Sequence, residues 1–182
     1  VYKRQGLGIS GSNDGNLYNA TFSNPRGIAI DNNGNIYISE SGNNKIRKIT
    51  SDGVVSTLAG NGNRGHNDGL SLSATFNVPE GIAIDTLGNL FIADTYNCSI
   101  RKITPDGIVS TISGNVIGGN TDGNIGSASF NFPRGITIDS FNNLYVSDTS
   151  NNSIRRVGVN GIVTTLAGNH RGSSDGNISS AT

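Results

Sequence analysis

The sequence predicts an all-β chain of tandem four-stranded antiparallel blades, a β-propeller, and three observations predict it. One string of residues is written three times: Phe22, Phe76 and Phe130 open copies 54 residues apart, since 76 − 22 and 130 − 76 are equal. Each copy holds four short apolar runs separated by turn residues. Charged residues are only 14% of the chain, and their place is taken by Asn, Ser, Thr and 26 Gly. A fixed period of this length marks a propeller, a solenoid or an array, because one unit cannot bury its apolar face alone.

Taken in order, the first copy opens with residues 27–31 (GIAID), which are compact and β-branched, followed by an NNGN turn. Residues 36–39 (IYIS) come next, then SGNN. Residues 45–50 (KIRKIT) mix charge with apolar Ile46 and Ile49, and after SDG the run 54–58 (VVSTL) completes the copy. Short runs rich in Ile and Val, bounded by Asn, Gly, Asp and Ser, are strand signals. The DG and NG pairs supply the positive φ that tight hairpins require. Helix fails as a competitor, because no window carries an i, i+3, i+4, i+7 apolar stripe long enough for three turns. Four antiparallel runs per copy form a meander, and a meander repeated at this period reads as propeller blades.

The repeat phase divides the chain into 6–21, the end of a preceding repeat, and blade repeats 22–75, 76–129 and 130–182. A tail of the form D-G-x₄-A precedes each phenylalanine, with Asp14, Asp68 and Asp122 at its head, and it recurs a fourth time at Asp175. The chain contains no methionine and stops where a fourth phenylalanine is due, so both ends read as cut. Residues 1–5 (VYKRQ) resemble the translation of a sequencing-library transposon end and are set aside as a non-native scar. The expectation is an open arc of three complete blades with partial blades at both ends.

Each copy reads P-x-G-I-[AT]-I-D, then N-[IL]-[YF]-[IV]-[SA]-[DE], then N-x-x-I-R-[KR]. The positions are Pro25, Gly27, Asp31, Glu40, Asn43, Ile46 and Arg47 in the first copy. They are Pro79, Gly81, Asp85, Asp94, Asn97, Ile100 and Arg101 in the second, and Pro133, Gly135, Asp139, Asp148, Asn151, Ile154 and Arg155 in the third. This pattern resembles the NHL-repeat β-propeller family from residue 6 to the C-terminus. The resemblance implies a ring of about six blades, of which this chain would hold about half. It leaves function open, since the family is defined by its scaffold.

Thirteen basic and thirteen acidic residues cancel, so no net field draws the chain to nucleic acid or anionic lipid. Glu80 between Arg26 and Arg134 also argues against a basic face for RNA. Cys98 is the single cysteine and makes no internal disulfide. No apolar stretch approaches the roughly 20 residues of a membrane helix, so no membrane insertion is expected. The composition suits an extracellular, periplasmic or cell-surface protein of bacterial type.

Repeated carboxylates invite a metal reading, since Ca²⁺ favours oxygen ligands. Recurrence at the same place in every blade favours scaffold instead. Asp31, Asp85 and Asp139 are read as fixing the turn after the first strand, as Asx turns do. Glu40, Asp94 and Asp148 end the second strand. Asn43, Asn97 and Asn151, with Arg47, Arg101 and Arg155, are read as bridging the next corner and pairing with these carboxylates. The D-G-x₄-A tail is read as capping a short turn. No cofactor or metal is expected.

Function in a propeller sits where copies differ, on the face carrying the longer loops. The long connectors (61–67, 115–121 and 169–174) should share one rim with the corners 41–44, 95–98 and 149–152. Arg26, Glu80, Arg134, Arg64, His66, Tyr96, His170 and Arg171 are the candidates for a binding surface there. No nucleophile elbow, P-loop, H-E-x-x-H or dinucleotide fingerprint occurs. The expected function is non-catalytic binding of a protein or glycan through this face. The alternative is a metal-dependent lactonase or lyase of the propeller type, with ligands in further blades that a longer protein would carry beside any other domains.

Overall fold

The computed structural model describes residues 8–168 and Gly172. The five-residue leader and the candidates His170 and Arg171, with Asp175, lie outside the described residues. Within them the chain forms three antiparallel sheets in succession. The first holds β1 (Gly15–Asn16), β2 (Pro25–Ile30), β3 (Ile36–Glu40), β4 (Lys45–Ile49) and β5 (Val54–Ala59). The second holds β6 (Gly69–Leu70), β7 (Pro79–Ile84), β8 (Leu90–Asp94), β9 (Ser99–Ile103) and β10 (Ile108–Gly114). The third holds β11 (Pro133–Ile138), β12 (Leu144–Asp148), β13 (Ser153–Val157) and β14 (Val163–Ala167). Among the described residues helix is limited to three-residue 3₁₀ turns, Thr95–Asn97 and Thr149–Asn151.

Each sheet is built on a four-stranded meander in which neighbours in sequence are neighbours in space, and in the first two sheets the short strands β1 and β6 add a fifth at the outer edge. The innermost strands β2, β7 and β11 lie side by side across blade boundaries, which is the radial arrangement of a propeller. Their close approach depends on glycine. A Cβ on Gly27 would run into the carbonyl oxygen of Glu80, and one on Gly81 into that of Arg134.

The tail of each connector joins the sheet of the blade that follows it. β1 pairs antiparallel with β5, β6 with β10, and Gly123 bridges Val163 at the third equivalent place. Residues 60–75, which close the first repeat in sequence, thus span two blades in space.

The core lies between blades. Tyr37, Ile46 and Ala59 of the first sheet meet Phe76, Ile82, Leu90, Ile92, Ile103 and Val109 of the second. Phe91, Ala93 and Ile100 likewise meet Phe130, Leu144, Val146, Val157 and Val163. The inner strands read as continuous apolar runs because both their faces are meant to be covered. Where no neighbouring blade stands, those side chains are bare: Ile28 and Ile30 of β2 are 69% and 63% exposed, against 6% for Ile82 at the same register. Among the described residues the three sheets form an unclosed arc, in agreement with the fold expected from the repeat.

Candidate functional site

The most repetitive chemistry is a buried clasp centred on one arginine per blade. Arg47, Arg101 and Arg155 are fully buried, each on the third strand. Arg101 Nη1 donates to Asp94 Oδ2 at 2.8 Å and to the Thr75 carbonyl at 3.0 Å. Its Nη2 donates to Asp68 Oδ1 at 2.7 Å and to the Asn67 carbonyl at 3.0 Å. Arg47 binds Glu40 and Asp14 in the same way, and Arg155 binds Asp148 and Asp122. Each guanidinium also lies over the phenylalanine that opens its repeat, 5.1 to 5.2 Å from the rings of Phe22, Phe76 and Phe130. One planar, always-charged fork therefore ties the second strand, the third strand and the incoming connector together.

The acid in the connector tail does more than cap a turn. Besides Arg101, Asp68 accepts the Thr111 amide at 2.9 Å, and Asp122 accepts that of Thr165 at the same distance. The tail is thereby fastened to the outermost strand. Burial works against the charge of Asp14, Asp68 and Asp122, but the outer-strand threonine and the guanidinium hold each carboxyl below its usual range. Asp94 is the opposite case: burial pushes it up to about 6 against the pull of the Asn77 amide and of Arg101. Asp148 is raised for the same reason. Two carboxylates share one guanidinium, so the more buried one carries the desolvation penalty.

Asn43, Asn97 and Asn151 each donate through Nδ2 to the acid that ends the second strand and to a connector carbonyl (Gly11, Gly65 and Gly119). Asp31, Asp85 and Asp139 each accept two backbone amides of the following turn. Among the described residues, no group of three or more His, Cys, Asp or Glu is placed to hold a metal ion.

The connectors, the second-to-third strand corners and the P-x-G segments occupy one face. Pro25 pairs with Glu40 at the end of β3, and Ala59 pairs with Ile46 at the start of β4, so all three meet at the same edge. The variable residue of P-x-G sits in a β-bulge. The register runs Pro25 to Glu40 and then Ile28 to Ile38, giving β2 one residue too many. Bulges re-aim side chains, and Arg26, Glu80 and Arg134 occupy these three places.

Glu80 and Arg134 come together across the blade boundary, with Arg134 Nε 3.6 Å from Glu80 Oε2. Arg26 and Arg64 are exposed. Tyr96 is 52% exposed and stands edge-to-face against Phe132, 5.0 Å between ring centroids and perpendicular. Phe132 has φ of 51°, and Val78 at the equivalent place has 55°, a conformation in which bulky residues are outliers. The left-handed turn before each proline thus presents the preceding side chain beside the neighbouring corner. Sequence reasoning missed Phe132; its signal was a bulky residue where the first copy has Asn24.

His66 does not face outward with these groups. Its Nε2 lies 3.1 Å from Ser99 Oγ and 3.4 Å from Thr111 Oγ1, inside the second blade. Desolvation, aided by the Arg101 charge, lowers its pKa. It belongs to the surroundings of the clasp.

Comparison with known proteins agrees with this architecture. A family model described as the teneurin NHL domain matches residues 10–70, and the NHL repeat matches residues 76–103 and 130–157. The chain is 41% identical over 105 residues to Protein SUPPRESSOR OF QUENCHING 1, chloroplastic, of Arabidopsis thaliana, a match covering 56% of this chain and 10% of that protein. Such curated relatives are far longer than the part matched here. Among solved structures it superposes on an auxiliary nutrient binding protein from Bacteroides thetaiotaomicron with TM-score 0.66 and 22% identity, covering 76% of this chain and 36% of that one. A nidogen/laminin complex gives TM-score 0.63 at 21% identity, covering 85% and 52%. With these family models matching residues 10–70, 76–103 and 130–157, the chain belongs to the NHL-repeat family of β-propellers.

Proposed function

We propose that this chain is a non-catalytic binding propeller, extracellular or at a cell surface, that takes up a protein or carbohydrate ligand on its long-connector face. The observation that carries the reading is the pairing of exposed Tyr96 with Phe132 beside the Glu80–Arg134 ion pair. The strictly repeated side chains are spent on the clasp and the turns. These four are placed where the copies differ: Gly42 and Ser150 stand at the Tyr96 position, and Asn24 and Val78 at that of Phe132. Aromatic rings and arginine are the usual anchors of a recognition surface, and rigid rings such as the amphipathic Tyr96 lose little side-chain entropy on binding.

A glycan array and a pull-down with immobilised chain supply the ligand, and titration then tests the place. Tyr96→Ala should weaken binding by about 2 kcal/mol, roughly thirtyfold in Kd, with the melting temperature unchanged. Arg134→Glu should act similarly by repelling Glu80. Affinity that survives both substitutions, or survives replacement of the connector 115–121 by a short turn, would overturn the assignment.

A further inference from the structure

The opposite face carries a groove between the second and third blades, about 450 Å³ in volume, and it departs from the repeat in two places. Its apolar walls include Phe91, Ile112, Leu144 and Val157, and its polar side chains are Asp85, Asn89 and Lys102 from the second blade with Asn142 and Asn160 from the third. This is within the size range of small-molecule sites, about 300–1,000 Å³, which are apolar with a few placed polar groups.

The first departure is at Phe91. In the first blade Tyr37 donates its hydroxyl to Asp31 Oδ2 at 3.1 Å, and in the third Tyr145 donates to Asp139 Oδ2 at 3.0 Å. The second blade has phenylalanine at this position. Asp85 keeps its bonds from the Leu87 and Asn89 amides and from Asn89 Nδ2, but receives no hydroxyl. The second departure is at Pro105. Asn35 Oδ1 accepts the Ser51 amide at 3.3 Å, and Asn143 Oδ1 accepts Arg156 Nη2 at 2.7 Å. Pro105 replaces Ser51 and has no amide hydrogen, and Asn89 Oδ1 accepts no bond from any described residue. Asp85 Oδ2, which takes Asn89 Nδ2 alone, thus has room for one more donor, and Asn89 Oδ1 is unfilled; both residues border the groove.

We propose that this groove binds a small apolar alcohol or phenol, its hydroxyl donating to Asp85 or Asn89 and its body lying against Phe91 and Leu144. The sister blades display the same chemistry internally: a carboxylate of identical setting takes a phenolic hydroxyl from the protein itself. A neutral donor suits the place, because Lys102 already lies 6.0 Å above the Phe91 ring and would repel an ammonium. The site is independent of the long-connector face, so either can fail alone.

Amide chemical shifts of the full chain, titrated with phenol, benzyl alcohol and toluene, test the proposal. Phenol and benzyl alcohol should shift the amides of Phe91, Leu144 and Val157, with toluene at least tenfold weaker. Phe91→Tyr supplies the hydroxyl from within, as the other two blades do, and should fold as well as the parent. It should lower affinity for phenol at least tenfold. Toluene binding as tightly as phenol, an unchanged affinity in Phe91→Tyr, or no shift of these amides up to the solubility limit would each overturn it.

Discussion

A single side chain decides whether each blade coheres. Arg101 is fully buried and bonded to two acids and two carbonyls, so removing it leaves Asp94 buried without its counter-charge. Arg101→Met should lower the unfolding free energy by about 3–5 kcal/mol, read from the shift of a urea transition. Asp68→Asn should cost less, about 1 kcal/mol, because the Asp68 side chain is 46% exposed and water replaces part of the bond. Equal losses in the two variants would sink this account of the clasp. The acids also set a pH profile. Asp94, raised to about 6, takes up its proton in the fold before the unfolded chain does. Its contribution therefore grows as pH falls from about 6 towards the ordinary value of 3.8. Asp14, Asp68 and Asp122 are held low, so their contribution is present above 3.8 and is lost as pH falls through their depressed values. Stability should hold or rise down to about pH 4 and collapse below it. A carboxyl carbon-13 titration placing Asp94 below 4 would contradict the first half.

At the scale of elements, the inner strands are limited by how near their backbones come. Gly81 sits beneath the carbonyl of Arg134, with the Ile136 amide and Cγ2 also within reach of an added Cβ. Its φ is not of the left-handed kind, so the requirement is one of space rather than conformation. Gly81→Ala must push β7 from β11, and overpacking of this kind costs about 1–3 kcal/mol. A melting temperature equal to that of the parent would show that the blades have slack there. The outer edge works differently. Two-residue β1 and β6 cover β5 and β10 with chain borrowed from the previous connector, which shortens the open strand edge available for aggregation.

Among the described residues the molecule is held by two apolar clusters, each lying between adjacent blades. Phe76 is wholly buried between two sheets, and Phe76→Ala should lower stability by about 3–5 kcal/mol. Because it also lies under Arg101, the loss should exceed that of an aliphatic truncation such as Val109→Ala. The arc leaves Ile28 and Ile30 of the first blade and Ile154 of the last bare to solvent. These are the counterparts of Ile82, Ile84 and Ile100, which internal interfaces cover. Both candidate ligand places lie at the junction of the second and third blades, on opposite faces, where neither depends on the bare ends.

The fold was legible in the sequence because repetition amplifies a weak signal. One copy of GIAID–NNGN–IYIS is an ambiguous run, but three copies in phase leave little except stacked meanders. The turn acids and corner asparagines were legible for the same reason. What one repeat does with another's residues was not. Asp68 lies 33 positions from Arg101, and Glu80 meets an arginine 54 residues away. The inward turn of His66, the pairing of Phe132 with Tyr96 and the acceptors left open around Phe91 depend on which blades adjoin. A linear pattern records what each blade is made of; only packing fixes which side chains of neighbouring blades face each other, because those contacts are made across the sheets and not along them.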